Sequence, residues 1–186
     1  RKIPIRLAPL PGFDRFRQEP LAFGTVRYVG EPVALVVAED QHRAEDARDA
    51  VAVEYDSLDA VVDYESAGRD EGIIHEAAGT NLATSYDVAR GDADHGFAAA
   101  DHVVTRSFAC HRHMGAPLET RGFVCAYDAA SDRLSVFGAT KVTFYNRRLL
   151  AEFMDMPEDR VEMIEVDVGG SFGVRGEFYP EDFLIP

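Results

Sequence analysis

The stretch Val166–Arg175, with the sequence VDVGGSFGVR, joins a strand-like apolar run to a glycine-rich turn that carries one large aromatic residue. Glycine has no Cβ, so three glycines within five positions allow positive φ angles and let backbone amides approach a ligand closely. The turn has neither the Gly-Lys-Ser/Thr ending of a P-loop nor the G-x-G-x-x-G spacing of the dinucleotide fingerprint. The stretch therefore predicts a close-approach binding loop of another kind.

The residues before this loop predict a β-rich unit with inserted helices. Residues 161–168 place Ile164, Val166 and Val168 on one face and predict the strand that leads into the loop. Ahead of it, apolar residues at helical spacing predict a helix that starts at Asn146, as its N-cap, and ends before Pro157. Two apolar stretches flank the short polar segment 128–132 and predict a hairpin. Further predicted elements are a short helix at 97–100 and strands at 102–109, 122–127 and 134–137.

The first half of the chain predicts a separate strand–helix–strand unit. An unbroken apolar run at residues 33–38 predicts a buried strand, and Asp40 marks the start of a helix with one apolar face. Residues 51–55 return to alternation and predict a second strand. Residues 67–79 are rich in Gly and charge without periodicity, which predicts a linker. The predicted organisation is α+β throughout, with one unit at residues 1–66 and another at residues 80–186.

Composition narrows the classes of partner and compartment. The chain has 186 residues, 46% of them hydrophobic, and a net charge of −14, which repels phosphate backbones and argues against nucleic acid as a partner. No window approaches the ~20 consecutive apolar residues of a membrane span, so we expect a soluble, cytoplasmic protein. Cys110 and Cys125 form no C-x-x-C pair and are expected to be buried, reduced residues in strands. The chain starts without Met and stops inside an apolar run, so we expect a fragment.

Four short motifs occur in a fixed order along the chain. They are VRYVGEPVA at residues 26–34, the pairs Gly91-Asp92 and Ala100-Asp101, PLETRG at residues 117–122, and GGSFG at residues 169–173. In this order they resemble the large subunits of molybdenum hydroxylases, the family of xanthine dehydrogenase, aldehyde oxidase and aerobic carbon monoxide dehydrogenase. The resemblance implies the later part of an α/β hammerhead domain at residues 1–66 and the beginning of a molybdenum-cofactor-binding domain at residues 80–186.

The resemblance also implies a reaction and its cofactors. Members oxidise an aldehyde, an N-heterocycle or carbon monoxide with water as the oxygen source, using molybdenum–molybdopterin. Iron–sulfur clusters and FAD on partner subunits or domains carry the electrons away, and the remainder of the large subunit completes the site. The family's general-base Glu comes much later in the chain, so we expect no catalytic residue and no direct metal ligand here, and an inactive isolated fragment. The alternative is a non-catalytic hammerhead-type module that acts as a scaffold.

The same resemblance assigns residues to the cofactor. The family's loop Phe lies beside the oxo and sulfido ligands of the metal, and this position is Phe172 here. A tight turn around a core Phe is the structural alternative. Lys141 takes the place of a Gln whose amide binds an oxo ligand in many members; lysine can still donate a hydrogen bond but adds a positive charge. The implied cofactor-binding set is Gly169, Gly170, Ser171, Phe172, Gly173 and Lys141.

Two further charged residues are candidates for substrate binding. Glu119 either shapes the substrate funnel or pairs with Arg121 or another basic group. Arg175 either supplies a cation toward cofactor or substrate, or forms an ion pair with Glu177 or Glu181. Xanthine-type members carry a purine-binding Glu one position earlier than Glu177, so the resemblance disfavours a purine substrate.

Overall fold

The computed structural model describes residues 1–5, 10, 12–138 and 141–186, and this part of the chain is α+β, as predicted. The α-helices are α1 (Gln41–Asp49), α2 (Tyr64–Gly68), α3 (Ala93–Ala98), α4 (Thr143–Met154) and α5 (Glu181–Leu184). The strands are β1 (Phe123–Asp128), β2 (Arg133–Gly138) and β3 (Val161–Glu165). Short 3-10 turns lie at Phe13–Phe16, Glu76–Ala78, Glu158–Arg160 and Val174–Gly176. None of the described helices is long and apolar enough to cross a membrane.

The three strands form one sheet in the order β1-β2-β3. β1 and β2 are the predicted hairpin and pair antiparallel, with Phe123 opposite Gly138. β2 and β3 pair in parallel, with Leu134 beside Val161 and Gly138 beside Glu165, and α4 makes the crossover between them. Parallel pairing places the carboxyl ends of β2 and β3 at the same edge of the sheet. The segments that follow these two strands therefore start from one place.

The core lies where α4 and α5 cover the sheet. In β2, Leu134 and Val136 are buried while Ser135 and Phe137 are more exposed, because successive side chains of a strand point to opposite faces. Helix α5 contributes Phe183, whose ring lies 4.6 Å from that of Phe153 of α4 and 5.1 Å from that of Phe178, centroid to centroid. The buried apolar set is Ile3, Leu134, Val136, Leu150, Ala151, Val161 and Phe183.

Local sequence signals predicted α1, α3 and α4, with less accurate ends, and missed α2 and α5. Helix α1 starts as predicted, with the Asp40 carboxylate accepting from the Arg43 amide at 2.9 Å. Helix α3 spans residues 93–98, earlier than the predicted 97–100. The prediction that Asn146 caps α4 is wrong, because Asn146 is buried inside the first turn and its Nδ2 donates to the Lys141 carbonyl at 2.9 Å.

The predicted strands at 33–38, 51–55 and 102–109 are wrong for the chain as described. These segments join no ladder among the described residues, and their apolar side chains are exposed, Phe108 to 90%. An apolar pattern indicates that a segment needs a covering layer, but a strand forms only when a neighbouring strand supplies the ladder hydrogen bonds. Cys110 is likewise exposed, contrary to prediction, and Cys125 lies half-buried in β1.

The predicted linker is an ordered turn held by side chains. Asp70 accepts hydrogen bonds from the Thr80 hydroxyl at 2.7 Å and the Asn81 amide at 2.6 Å. These donors lower the pKa of Asp70. Asn81 in turn donates from Nδ2 to the Gly72 carbonyl at 2.6 Å and accepts from the Ile74 amide at 2.8 Å. The division into units at 1–66 and 80–186 stays a prediction.

Candidate functional site

The glycine loop at residues 169–173 follows β3, and Lys141 follows β2, so both candidates extend from the carboxyl edge of the parallel pair. Parallel strands bring together side chains that are far apart in sequence at this edge, where α/β folds place their ligands. The order β2, α4, β3 and loop places Lys141 and the loop that carries Phe172 after neighbouring parallel strands, although 31 positions separate the two residues.

The loop backbone occupies the left-handed region at three of its last four positions. Gly170 has φ +105° and Gly173 has φ +89°, values that glycine adopts without steric cost. Phe172 has φ +46°, which costs a residue with a side chain about 1–2 kcal/mol. Phe172 is nevertheless 76% exposed, so the strain is not offset by burial of this residue in the core. A strained, exposed aromatic residue indicates a functional position.

The Phe172 ring lies against bare backbone. A Cβ on Gly170 would stand 3.0 Å from the Phe172 Cε2 and 3.2 Å from the Pro117 Cβ. A Cβ on Gly115 would stand 3.1 Å from the Phe172 Cβ. Glycine at position 170 therefore makes room for the ring, and glycine at position 115 makes room for the Phe172 Cβ. Sequence reasoning did not identify Gly115, and the Gly-Ala-Pro run at residues 115–117, with Ala116 at φ +41°, was the signal of a close turn that could have done so.

Glu119 holds the first residue of the loop. Its Oε2 accepts a hydrogen bond from the Gly169 amide, and its own amide donates to the Gly169 carbonyl at 3.4 Å. A Cβ on Gly169 would meet the Glu119 Cβ at 2.7 Å, so only glycine permits this approach. The Glu119 side chain is half exposed. Of the alternatives for its ion pair, the basic partner is Arg175, at 3.7 Å, whereas Arg121 pairs elsewhere.

Arg175 lies beneath the loop and is 3% exposed. Its Nε donates to the Gly170 carbonyl at 2.6 Å. Its Nη2 donates to the Glu119 carbonyl at 2.7 Å and lies 3.4 Å from the Thr120 carbonyl. Within the described residues its Nη1 is buried without a hydrogen-bond partner. The guanidinium therefore binds the main chain of two segments that are about fifty residues apart in sequence.

A second, partly buried arginine pairs with the segment that follows the loop. Arg121 Nη2 donates to both carboxylate oxygens of Asp182, at 2.8 and 2.7 Å, and its Nη1 lies 3.7 Å from Glu181. The guanidinium stands 4.0 Å from the ring centroid of Tyr179, a cation–π contact. Burial raises the pKa of the Asp182 carboxyl, and the positive charge of Arg121 opposes that rise.

Lys141 is exposed at the start of α4. The next residue, Val142, has φ +61° and provides no side-chain cap, so the first turn of α4 has no side-chain acceptor at its N-cap. A β-branched residue in this region is a steric outlier, which marks the turn as a second strained point at this edge. In the part of the chain that the structure describes, the Lys141 ammonium forms no salt bridge.

The donors at this edge suit an anionic, oxygen-rich ligand. The amides of Gly170, Ser171, Phe172 and Gly173 form no hydrogen bond with another described residue, and the Ser171 hydroxyl is buried without a described partner. Consecutive free amides at a turn with left-handed residues form a site for anions. No group of three or more His, Cys, Asp or Glu among the described residues could hold a metal ion directly. A cofactor with phosphate or oxo groups fits this edge better than a protein-ligated metal.

Comparison with known proteins matches two family models in sequence. Residues 7–59 match the a/b hammerhead domain of aldehyde oxidase and xanthine dehydrogenase, and residues 74–186 match the molybdopterin cofactor-binding domain. Two relatives from Paenarthrobacter nicotinovorans are similar. They are the 6-hydroxypseudooxynicotine dehydrogenase complex subunit gamma, 39% identical over 92% of this chain, and the nicotine 6-hydroxylase large subunit, 37% identical over 89%.

A solved structure is also similar in fold. Quinoline 2-oxidoreductase from Pseudomonas putida 86 superposes with a TM-score of 0.82 and 36% identity over 90% of this chain, which is 21% of that chain. The present chain covers 21% of the gamma subunit and 20% of the nicotine hydroxylase subunit. It therefore spans about a fifth of the length of the relatives that it matches.

Proposed function

The chain belongs to the molybdenum hydroxylase family of aldehyde oxidase and xanthine dehydrogenase, and we propose that it forms one wall of the molybdenum-cofactor site in a larger subunit. The observation that carries the proposal is the loop at the carboxyl edge of β2 and β3. It combines free amides with a strained, exposed Phe172. When bound, molybdenum–molybdopterin supplies a two-electron oxidation that uses oxygen derived from water.

The residues of this chain would bind, orient and shield the cofactor. The amides of residues 170–173 donate to its anionic groups, and the Ser171 hydroxyl adds one further donor. Lys141, at the same edge, places a positive charge where many family members place a neutral amide donor. The Phe172 ring covers the open side of the loop and excludes water from the reacting centre.

We propose an N-heteroaromatic ring as the substrate. The similarity to a nicotine hydroxylase and to quinoline 2-oxidoreductase supports this class, since both names describe oxidation of a nitrogen-containing aromatic compound. Glu119 keeps a half-exposed carboxylate at the start of the loop and is the candidate of this chain for contact with the substrate. The position of Glu177, one residue later than in purine-oxidising members, argues against a purine.

The partners belong to the same proposal. The remainder of the large subunit completes the cofactor site, and iron–sulfur and flavin subunits carry electrons to the acceptor. The names of the relatives, a complex subunit and a large subunit, support assembly with other chains. The hammerhead unit at residues 1–66 and the cofactor unit from residue 80 onward are the two parts that this chain contributes.

We also propose a cytoplasmic location, with which the free thiols of Cys110 and Cys125 agree.

A second candidate is a non-catalytic scaffold built on the hammerhead unit. The observation that favours it is the exposed apolar surface of the first half, where Val37 and Val62 are 85% and 92% exposed. A scaffold would use that surface to bind a partner. It would not need a strained aromatic residue at a sheet edge, so the loop favours the enzyme.

The proposal is tested in the full-length subunit with its partners by replacing Phe172 with Leu. A residue that shields the reacting centre is expected to lower kcat by ~10- to 100-fold without changing molybdenum content or melting temperature. Phe97→Leu, an exposed aromatic residue on α3, is the matched control and should retain full turnover of nicotine or quinoline. Full turnover in Phe172→Leu would refute the proposed role of the loop.

The isolated 186-residue chain provides an independent check. It holds only part of the proposed site, so molybdenum analysis after purification should find essentially none. Stoichiometric molybdenum in this chain alone would show that the site is complete without the rest of the subunit.

A further inference from the structure

Arg175 is a buried cation whose hydrogen bonds go to main-chain carbonyls. A buried guanidinium loses its hydration, and an apolar side chain of similar size usually serves core stability as well or better. Arg175 nonetheless lies at 3% exposure, with Nε on the Gly170 carbonyl at 2.6 Å and Nη2 on the Glu119 carbonyl at 2.7 Å. Core stability therefore does not explain an arginine at this position.

The two segments that Arg175 joins both lie close to Phe172. Gly170 lies two residues before Phe172, and a Cβ at Gly170 would stand 3.0 Å from the Phe172 Cε2. In the segment 115–120, Gly115 lies close to Phe172, and Pro117 lies close to Gly170. The same segment ends with the carbonyls of Glu119 and Thr120, which face Arg175. The guanidinium thus fixes the separation between the loop and its support.

We propose that Arg175 is a positioning residue that holds Phe172 in its left-handed backbone conformation against the support segment 115–120. The proposal rests on the proposed function of the loop and adds the device that maintains its geometry. Arg175 acts through Phe172, because its guanidinium is covered and its described hydrogen bonds all go to carbonyls of the loop or the support. Direct contact with substrate is the competing role.

The planar fork of arginine explains the residue type. Two of its nitrogens donate in fixed directions to two different segments, whereas lysine has one compact ammonium on a flexible stem. Arg175→Lys keeps the charge and removes the bridge. A role that needs only positive charge near the cofactor would survive this replacement, and a role that needs the bridge would not.

A fluorine label gives a readout that does not depend on a loaded cofactor. With 4-fluorophenylalanine at position 172 of the full-length subunit, the unaltered protein should give one narrow ¹⁹F resonance, and Arg175→Lys should broaden or split it. The control is Arg160→Lys. Arg160 is also partly buried and donates to a main-chain carbonyl, that of Ser131, but it precedes β3 at the opposite edge of the sheet. A resonance unchanged by Arg175→Lys, or changed equally by Arg160→Lys, overturns the proposal.

Combining Arg175→Lys with Phe172→Leu separates this proposal from the proposed function. If Arg175 acts through Phe172, Arg175→Lys lowers kcat by up to about 100-fold alone but changes little in the Phe172→Leu background. If the reductions in kcat from the two single substitutions multiply in the double variant, Arg175 acts on substrate or cofactor by itself, and the positioning role is overturned. A Phe172→Leu variant with full activity would instead refute the function of the loop.

Hydrogen exchange in the unaltered protein tests the proposal without a variant, and so it applies even if Arg175→Lys does not fold. The Arg175 Nε–H donates to the Gly170 carbonyl in a buried position, so it should exchange slowly compared with exposed arginines such as Arg148. Exchange as fast as that of Arg148 would show that the bridge is not maintained and would overturn the proposal.

Discussion

Phe172 combines three properties that a structural residue rarely has together. It adopts φ +46°, it is 76% exposed, and its ring leaves no room for a Cβ on Gly170, which would stand 3.0 Å from the Phe172 Cε2. The strain is maintained by its surroundings: Glu119 holds the Gly169 amide, and Arg175 holds the Gly170 carbonyl. Conformational strain at an exposed position is kept when it serves a ligand, and here the position borders the proposed cofactor site.

Replacing Gly170 with Ala should destabilise the fold by about 1–3 kcal/mol, because the new Cβ adds strain at φ +105° and meets Phe172 at 3.0 Å. Urea unfolding measures the change. Gly173→Ala is the control, since it has a similar φ of +89° but no atom within 4 Å of its Cβ. Gly173→Ala should lower the free energy of unfolding only through backbone strain, by about 1 kcal/mol. Equal losses in the two variants would contradict the close packing of the Phe172 ring.

At the scale of elements, the parallel pairing of β2 and β3 positions the site, and α4 makes that pairing possible. α4 packs on the sheet through Leu150, which is 2% exposed. The same helix starts at the strained turn beside Lys141, so its docking sets both the core and one candidate site residue. A substitution on the buried face of α4 should therefore first lower the free energy of unfolding.

Leu150→Ala should lower the free energy of unfolding by about 2–5 kcal/mol, the range for a large buried aliphatic side chain truncated in a core. Leu149→Ala is the matched control on the same helix, and its partly exposed side chain should cost clearly less. Chemical denaturation of both variants measures the difference. Equal costs would show that α4 packs through another face.

Two carboxylates should respond to pH in opposite directions. Burial raises the pKa of Asp182, so its ionisation disfavours the fold, and its contribution to stability falls as pH rises from about 4, the unfolded value, toward the folded value. The amide of Asn81 and the hydroxyl of Thr80 lower the pKa of Asp70, so its contribution is present above about 4 and is lost as pH falls through the folded value.

Stability measured against pH for Asp182→Asn and Asp70→Asn checks these signs. The stability difference between the wild type and Asp182→Asn should decrease with rising pH across the acid range, while the difference for Asp70→Asn should increase. Two differences with slopes of the same sign would show that one of the two environments is described incorrectly.

At the scale of the whole molecule, the chain has an ordered centre and apolar segments without a covering layer. The sheet, α4 and α5 share one core, whereas residues 33–38, 51–55 and 102–109 expose apolar side chains. The chain covers about a fifth of its relatives, so we propose that the remainder of the subunit covers these segments.

Hydrogen–deuterium exchange tests this division in the 186-residue chain and in the full-length subunit. In the isolated chain, the hydrogen-bonded amides of β1, β2, α4 and β3 should exchange slowly and those of residues 102–109 rapidly. The full-length subunit should protect both. Rapid exchange at residues 102–109 in the full-length subunit would contradict coverage by the rest of the chain.

The sequence predicted those features whose signals are local in the chain or belong to the motifs of a known family. Helix α1 and the hairpin were predicted because a cap or a short polar turn lies within a few residues of each. The family was predicted from four ordered motifs and is confirmed. The strands predicted at residues 33–38 and 51–55 were wrong, because a ladder needs a partner strand that the local pattern does not identify. The carbonyls bound by Arg175 were missed for a similar reason: about fifty residues separate them in sequence.

The most direct test of the central claim is the distance between Phe172 and the metal. The full-length subunit, labelled with ring-deuterated phenylalanine, would be measured by deuterium electron–nuclear double resonance on its molybdenum signal, beside Phe172→Leu with the same label. If Phe172 borders the cofactor, the unaltered protein should show a resolved deuterium coupling, and this coupling should disappear in Phe172→Leu. A coupling that is absent from the unaltered protein, or unchanged in Phe172→Leu, would contradict the claim that this loop borders the molybdenum cofactor.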